Sequence, residues 1–306
     1  MIEDTRKGIG MNRRKKLGML TCSILIVSLF LLTGCSNNAA ENEAKEKNGT
    51  DKMIVAVTIV PEQTFVEAVC GNLVDVVTMV PPGSSPENYE PTPQQIEKFS
   101  KADVYFAMGV PTETANILPN AGEVKVVALQ DKVAQIYPDR RFESGERDPH
   151  IWLSPKRAGV MVDAIAEEMG KLDEKNKETY RQNADKYIEQ LDQLDQEIAV
   201  SLEGVKNRKF IVYHPAFGYL AEDYGLQMYA LEEEGKESTI QHLKDMIDLA
   251  KKEQIKVIFY QEEIDSSQSE SFAEEIGGKT MMLKPLAADY IENLKEMAKT
   301  MAEVMR

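Results

Sequence analysis

Three histidines occur in this chain of 306 residues, and two of them sit in rigid settings. His150 lies in Asp148-Pro149-His150-Ile151-Trp152-Leu153-Ser154-Pro155, and His214 in Val212-Tyr213-His214-Pro215-Ala216-Phe217-Gly218-Tyr219. Each adjoins a proline, which fixes φ locally, and a strand-like or aromatic run that would hold the ring still. Neutral imidazole is a ready ligand for transition metals. A preorganised pair, one from each half of the chain, is what a metal site between two lobes needs. The third, His242 in Ile240-Gln241-His242-Leu243, lies mid-helix and reads as a surface residue.

The elements that would carry these residues alternate strand and helix. Met53 to Val60 is a β-branched run of the kind buried on both faces of a sheet. Pro61 to Gly71 has helical spacing, Val74 to Val80 returns to strand, and Pro81 to Pro86 is a loop. Thr92-Pro93 opens a helix, and Asp103 to Met108 and Lys125 to Leu129 are further strands. From Ser154-Pro155 helix dominates. Glu174 to Lys206 has no proline and a single glycine, Gly204, with Ala184, Tyr187, Ile188, Leu191, Leu194, Ile198 and Leu202 in one stripe. That stripe predicts a spine joining two α/β segments.

The second half repeats the pattern. Strands are expected at Phe210–Tyr213, Leu226–Leu231, Val257–Tyr260 and Thr280–Leu283, with helices at Ser238–Lys252, Ser266–Ile276 and Tyr290–Met305. The βαβα order predicts an α/β fold: two lobes with parallel sheets flanked by helices, joined by one long linking helix. No GxGxxG, P-loop, HExxH or GxSxG occurs, so nucleotide binding and the common hydrolase chemistries lack a motif.

At the N-terminus, Arg13-Arg14-Lys15-Lys16 precede an apolar run from Leu17 to Leu32 that ends in Leu32-Thr33-Gly34-Cys35. The run is short for a permanent span and has the basic flank of a secretory signal. Its end resembles the lipobox of bacterial lipoproteins, which implies lipid on Cys35. Residues 1–34 are read as the signal peptide and 35–52 as a flexible, charged tether. Ser36 beside the lipidated cysteine favours a Gram-positive source, with the protein on the outer face of its only membrane. Residues 1–34 hold six basic and two acidic groups, a net +4 whose removal takes the charge from −15 to −19. Such acidity argues against nucleic acid as a partner. With Cys22 in the signal and Cys35 lipidated, Cys70 stands alone, forms no internal disulfide and packs as a small hydrophobe.

Three motifs in order carry a resemblance to a known family. They are Pro81-Pro82-Gly83-Ser84-Ser85-Pro86-Glu87-Asn88-Tyr89-Glu90-Pro91-Thr92-Pro93, the His150 segment, and His214 to Leu226. From about Met53 to the C-terminus the chain resembles the zinc/manganese substrate-binding proteins of bacterial ABC importers. The resemblance implies an N-terminal metal-binding lobe at 53–172, a linking helix at 173–206 and a C-terminal metal-binding lobe at 207–306. One divalent ion would lie buried between the lobes and be delivered to a membrane permease and its ATPase by a monomeric, non-enzymatic protein.

Carried over by position, His150 and His214 match two ligand histidines. Glu87 stands where many members have a third histidine, and Glu90 supports the loop. The usual last carboxylate is replaced by Lys284, whose ammonium cannot ligate. Glu262 and Gln261, which follow the Val257–Tyr260 strand, and water all remain candidates for the fourth position. The metal set is therefore read as Glu87, His150, His214 and Glu262. Two imidazoles with carboxylate oxygen suit zinc first and manganese second. Two other functions share these residues: a surface adhesin or scaffold lipoprotein that binds metal, and a zinc hydrolase.

Overall fold

The computed structural model describes residues 52–306 apart from 233–235, 237 and 265. The signal segment, Cys35 and the tether as far as residue 51 lie outside the described residues. The first parallel sheet is built from β1 (Met53–Val57), followed by α1 (Val60–Cys70), β2 (Val74–Thr78), α2 (Pro93–Phe99), β3 (Val104–Ala107) and β4 (Lys125–Ala128). Then come α3 (Leu129–Ala134), α4 (Pro155–Leu172) and the long α5 (Lys177–Glu203). The second half holds β5 (Lys209–Val212), α6 (Gly218–Asp223), β6 (Gln227–Ala230) and α7 (Ile240–Lys252). It ends with β7 (Val257–Gln261), α8 (Ser267–Glu275), β8 (Lys279–Leu283) and α9 (Tyr290–Met305).

Both sheets are wound the same way, in the orders β2-β1-β3-β4 and β6-β5-β7-β8, with every pairing parallel. In such open sheets ligands collect beyond the carboxyl ends of the strands. Alternation assigns the faces. Val55 and Phe106 in the first sheet, with Val212 and Phe259 in the second, enter one continuous hydrophobic cluster that also takes in α4 and α5. Ile211 and Ile258 face a separate cluster with Ala250 of α7 and Phe272 of α8.

The spine forms where expected, and it is shorter by a turn at its start because a 3-10 turn occupies Glu174–Asn176. Its 27 residues span about 40 Å at 1.5 Å per residue. Tyr180, Ala184, Leu191, Leu194, Ile198 and Leu202 are buried along it, and it packs on α1, α4 and α9. The first strand is also shorter than the β-branched run predicts. Glu62 Oε2 accepts the N–H groups of Thr58 and Ile59 at 2.9 and 3.0 Å, which starts α1 at Val60. Ser154 caps α4 by accepting from Arg157 N at 3.3 Å, with Pro155 at its first position. Cys70 is a buried free cysteine within the main cluster. Among the described residues no helix is long and apolar enough to cross a membrane.

Candidate metal centre

His214 leaves the carboxyl end of β5, two residues beyond Val212. His150 precedes a 3-10 turn at Ile151–Leu153 that leads into α4. Glu87 comes from the loop between β2 and α2. That loop is held from one side, because Thr112 N donates to Pro86 O at 3.2 Å, and Thr112 Oγ1 and Asn116 Nδ2 both donate to Tyr89 O. The wide turn bearing Thr112 is fixed in turn by Glu113, which accepts from Met108 N, Gly109 N and Thr58 Oγ1 at 2.7, 2.8 and 2.5 Å.

These three side chains meet. His150 Nε2 and His214 Nε2 are 3.1 Å apart, and Glu87 Oε1 lies 3.7 Å from the first and 3.6 Å from the second. The circle through three atoms so spaced has a radius of about 2.0 Å, against roughly 2.0–2.2 Å for zinc bonds to histidine nitrogen and carboxylate oxygen. The trio can therefore hold one ion without rearrangement. Both imidazoles are almost wholly buried, and Glu87 Oε1 has no hydrogen-bond partner among the described residues.

Each imidazole is oriented from behind. His150 donates Nδ1–H to Asp148 Oδ1 at 2.8 Å, and the same oxygen accepts the His150 backbone N–H at 3.0 Å. His214 donates Nδ1–H to Glu232 Oε1 at 2.5 Å. With both Nδ1 atoms committed to carboxylates, both Nε2 lone pairs face the ion position, the usual arrangement behind a ligating histidine. Two lone pairs 3.1 Å apart repel unless a proton or a metal ion lies between them. Burial by itself would lower the His214 pKa, but its bond to Glu232 and the charge of Glu87 outweigh it and raise the value to about 9. Burial also opposes the charged form of Glu87, yet the two imidazoles hold its carboxyl below the ordinary range.

Of the four residues read from sequence as metal ligands, the structure brings together Glu87, His150 and His214. Glu262 is not with them. Its half-exposed carboxylate lies in the turn just beyond β7 and pairs with Lys284 Nζ at 2.9 Å. Gln261 is buried at the end of β7, and its Nε2 has no protein partner among the described residues. His242 stays on α7, with Nε2 2.9 Å from Ala230 O. Sequence reasoning missed Glu232, which opens the run Glu232-Glu233-Glu234 and reads as surface charge. It also gave Asp148 no role, although an aspartate two residues before a candidate histidine was the available signal.

Two parallel sheets of the same winding, with a histidine-rich trio beyond their strand ends, define a class of metal-binding α/β proteins. The family described as zinc-uptake complex component A, periplasmic, matches residues 55–304, and the chain belongs to it. It is 30% identical over 297 residues to the zinc-binding lipoprotein AdcA of Streptococcus pneumoniae (strain ATCC BAA-255 / R6), covering 92% of this chain and 57% of that relative. The chain thus spans little more than half the length of that relative. To the high-affinity zinc uptake system protein ZnuA of Bacillus subtilis (strain 168) it is 29% identical over 282 residues, covering 86% of this chain and 87% of the other. A solved structure, the crystal structure of ZnuA, superposes with a TM-score of 0.78 at 36% identity, covering 84% of this chain and all of that one.

Proposed function

We propose that this chain is the extracytoplasmic solute-binding lipoprotein of an ABC importer, capturing one divalent transition metal ion and handing it to a membrane permease driven by an ATPase. One observation supports the reading above the others: three ligand atoms from distant parts of the chain surround a point about 2.0 Å from each, with both histidines aimed by carboxylates. Glu87, His150 and His214 bind the ion, and water takes the fourth corner. Zinc is the first cargo, in keeping with the zinc-binding and zinc-uptake names of the relatives, and manganese the second, since an oxygen donor tolerates harder ions.

The protein works by capture rather than catalysis. Residues 53–172 and 207–306 form the two metal-binding lobes and 173–206 the link between them. Lipid on Cys35 keeps the monomeric protein beside its permease on the outer face of a Gram-positive membrane. The test is elemental analysis of purified protein after controlled exposure to zinc and manganese. Wild type should retain one zinc per chain, and His150→Ala and His214→Ala none. Retention in either histidine variant would end this reading.

A further inference from the structure

The carboxylate behind His150 has a cation beside it, whereas the one behind His214 has none among the described residues. Arg140 Nε stands 3.1 Å from Asp148 Oδ2, the oxygen that His150 leaves unused. Among the described residues no lysine or arginine pairs with Glu232. Arg140 is held closely. Its backbone N–H donates to Tyr219 Oη at 3.0 Å, its carbonyl accepts from Asp148 N at 3.0 Å, and Tyr219 Oη donates to Asp148 O at 3.1 Å. The guanidinium fills the notch left by a missing side chain. A Cβ on Gly218 would lie 1.9 Å from Arg140 Nε and 2.7 Å from Asp148 Oδ2. Nothing larger than glycine fits at the first residue of α6 while Arg140 stays against Asp148.

A carboxylate hydrogen-bonded to the far nitrogen of a ligating histidine pushes charge into the ring and strengthens the metal bond. A guanidinium, which stays charged at any pH a protein meets, draws part of that charge to the other oxygen. Asp148 is fully buried, so water screens the effect little, although the Arg140 side chain is itself 30% exposed. We propose that Arg140, seated in the Gly218 notch, is a positioning residue that weakens the His150 bond to the cargo ion through Asp148. It thereby makes the His150 side the one that lets go first. The inference rests on the reading that His150 binds the cargo.

The sign of one rate tests it. Zinc-loaded protein is mixed with excess chelator at fixed pH and the release rate is read. Arg140→Gln should release zinc about three- to tenfold more slowly than wild type, a fraction of the 10–100-fold effects of carboxylates behind metal-bound histidines. Arg140→Lys, which keeps the charge, should release within about twofold of wild type. A merely structural Arg140 predicts the opposite, a looser site and faster release. In an Asp148→Asn background the slowing should vanish, because the relay is gone. Release from Arg140→Gln as fast as or faster than wild type overturns the inference, as does a slowing that persists undiminished in the Asp148→Asn background. If wild type takes up no zinc, or His150→Ala retains it, the cargo reading falls and the inference falls with it. Melting temperatures of the metal-free variants show that each is folded.

Discussion

The two histidines face one point, but they are mounted in different ways. His150 is held by its own neighbourhood: Asp148, two residues earlier, grips both its ring and its backbone N–H, and the Trp152 ring sits 5.1 Å away. His214 is held by topology, because Glu232 lies 18 residues away and reaches it only through the parallel pairing of β5 with β6. A local mount survives small shifts of the sheet. A mount that depends on strand register does not. The His150 carboxylate is also fully buried with Arg140 Nε 3.1 Å from its second oxygen, whereas among the described residues no lysine or arginine pairs with Glu232.

This contrast can be broken in graded steps. Removing either imidazole, as His150→Ala or His214→Ala, should lower zinc affinity by more than about a hundredfold, measured by competition with a chelator of known affinity, since direct ligands matter more than the groups behind them. Neutralising the mounts should cost less. Asp148→Asn and Glu232→Gln should each lose about 10- to 100-fold. Asp148→Asn should lose more, because Asp148 also fixes the backbone of its histidine. A smaller loss at Asp148→Asn than at Glu232→Gln would mean that backbone fixation does not make up for the charge that Arg140 draws from Asp148.

The next effect is protonic. His214 has its pKa raised to about 9, so at pH 7.5 the metal-free site holds a proton that zinc must displace. Affinity should climb about tenfold per pH unit between 6.5 and 9 and then level off. Calorimetry in buffers of differing ionisation enthalpy should count about one proton released from His214 at pH 7.5. Glu232→Gln should reduce that number. A raised pKa also means that the stability His214 gives the metal-free fold is complete below 6.5 and lost as pH rises through about 9. Metal-free protein should thus melt lower as zinc affinity improves. The smallest effect belongs to the exposed pair: Glu262→Ala should leave zinc affinity within about twofold, since charges at the surface are screened.

The same contrast explains what could be read in advance. Short apolar runs between turn signals gave seven of the strands nearly to their ends, and the stripe from Ala184 to Leu202 gave the spine. His150 and His214 were legible because proline and aromatic neighbours mark them locally. Glu232 was not, since its role comes from β6 lying beside β5. Arg140 was equally hidden, because its place depends on the notch at Gly218, seventy-eight positions along the chain. Glu262 was misplaced because the strand ends one residue before it: Gln261 is buried at the end of β7, and its successor enters a turn and pairs with Lys284. The six-residue α6 was too short to leave a periodic signal.

X-ray absorption on protein loaded with one equivalent of zinc tests the central claim most directly. The first shell should contain two imidazole nitrogens and oxygen donors at about 2.0–2.2 Å, with no sulfur, and His150→Ala should lose one of the two nitrogens. A shell with fewer than two imidazoles, or one that His150→Ala leaves unchanged, would contradict the account.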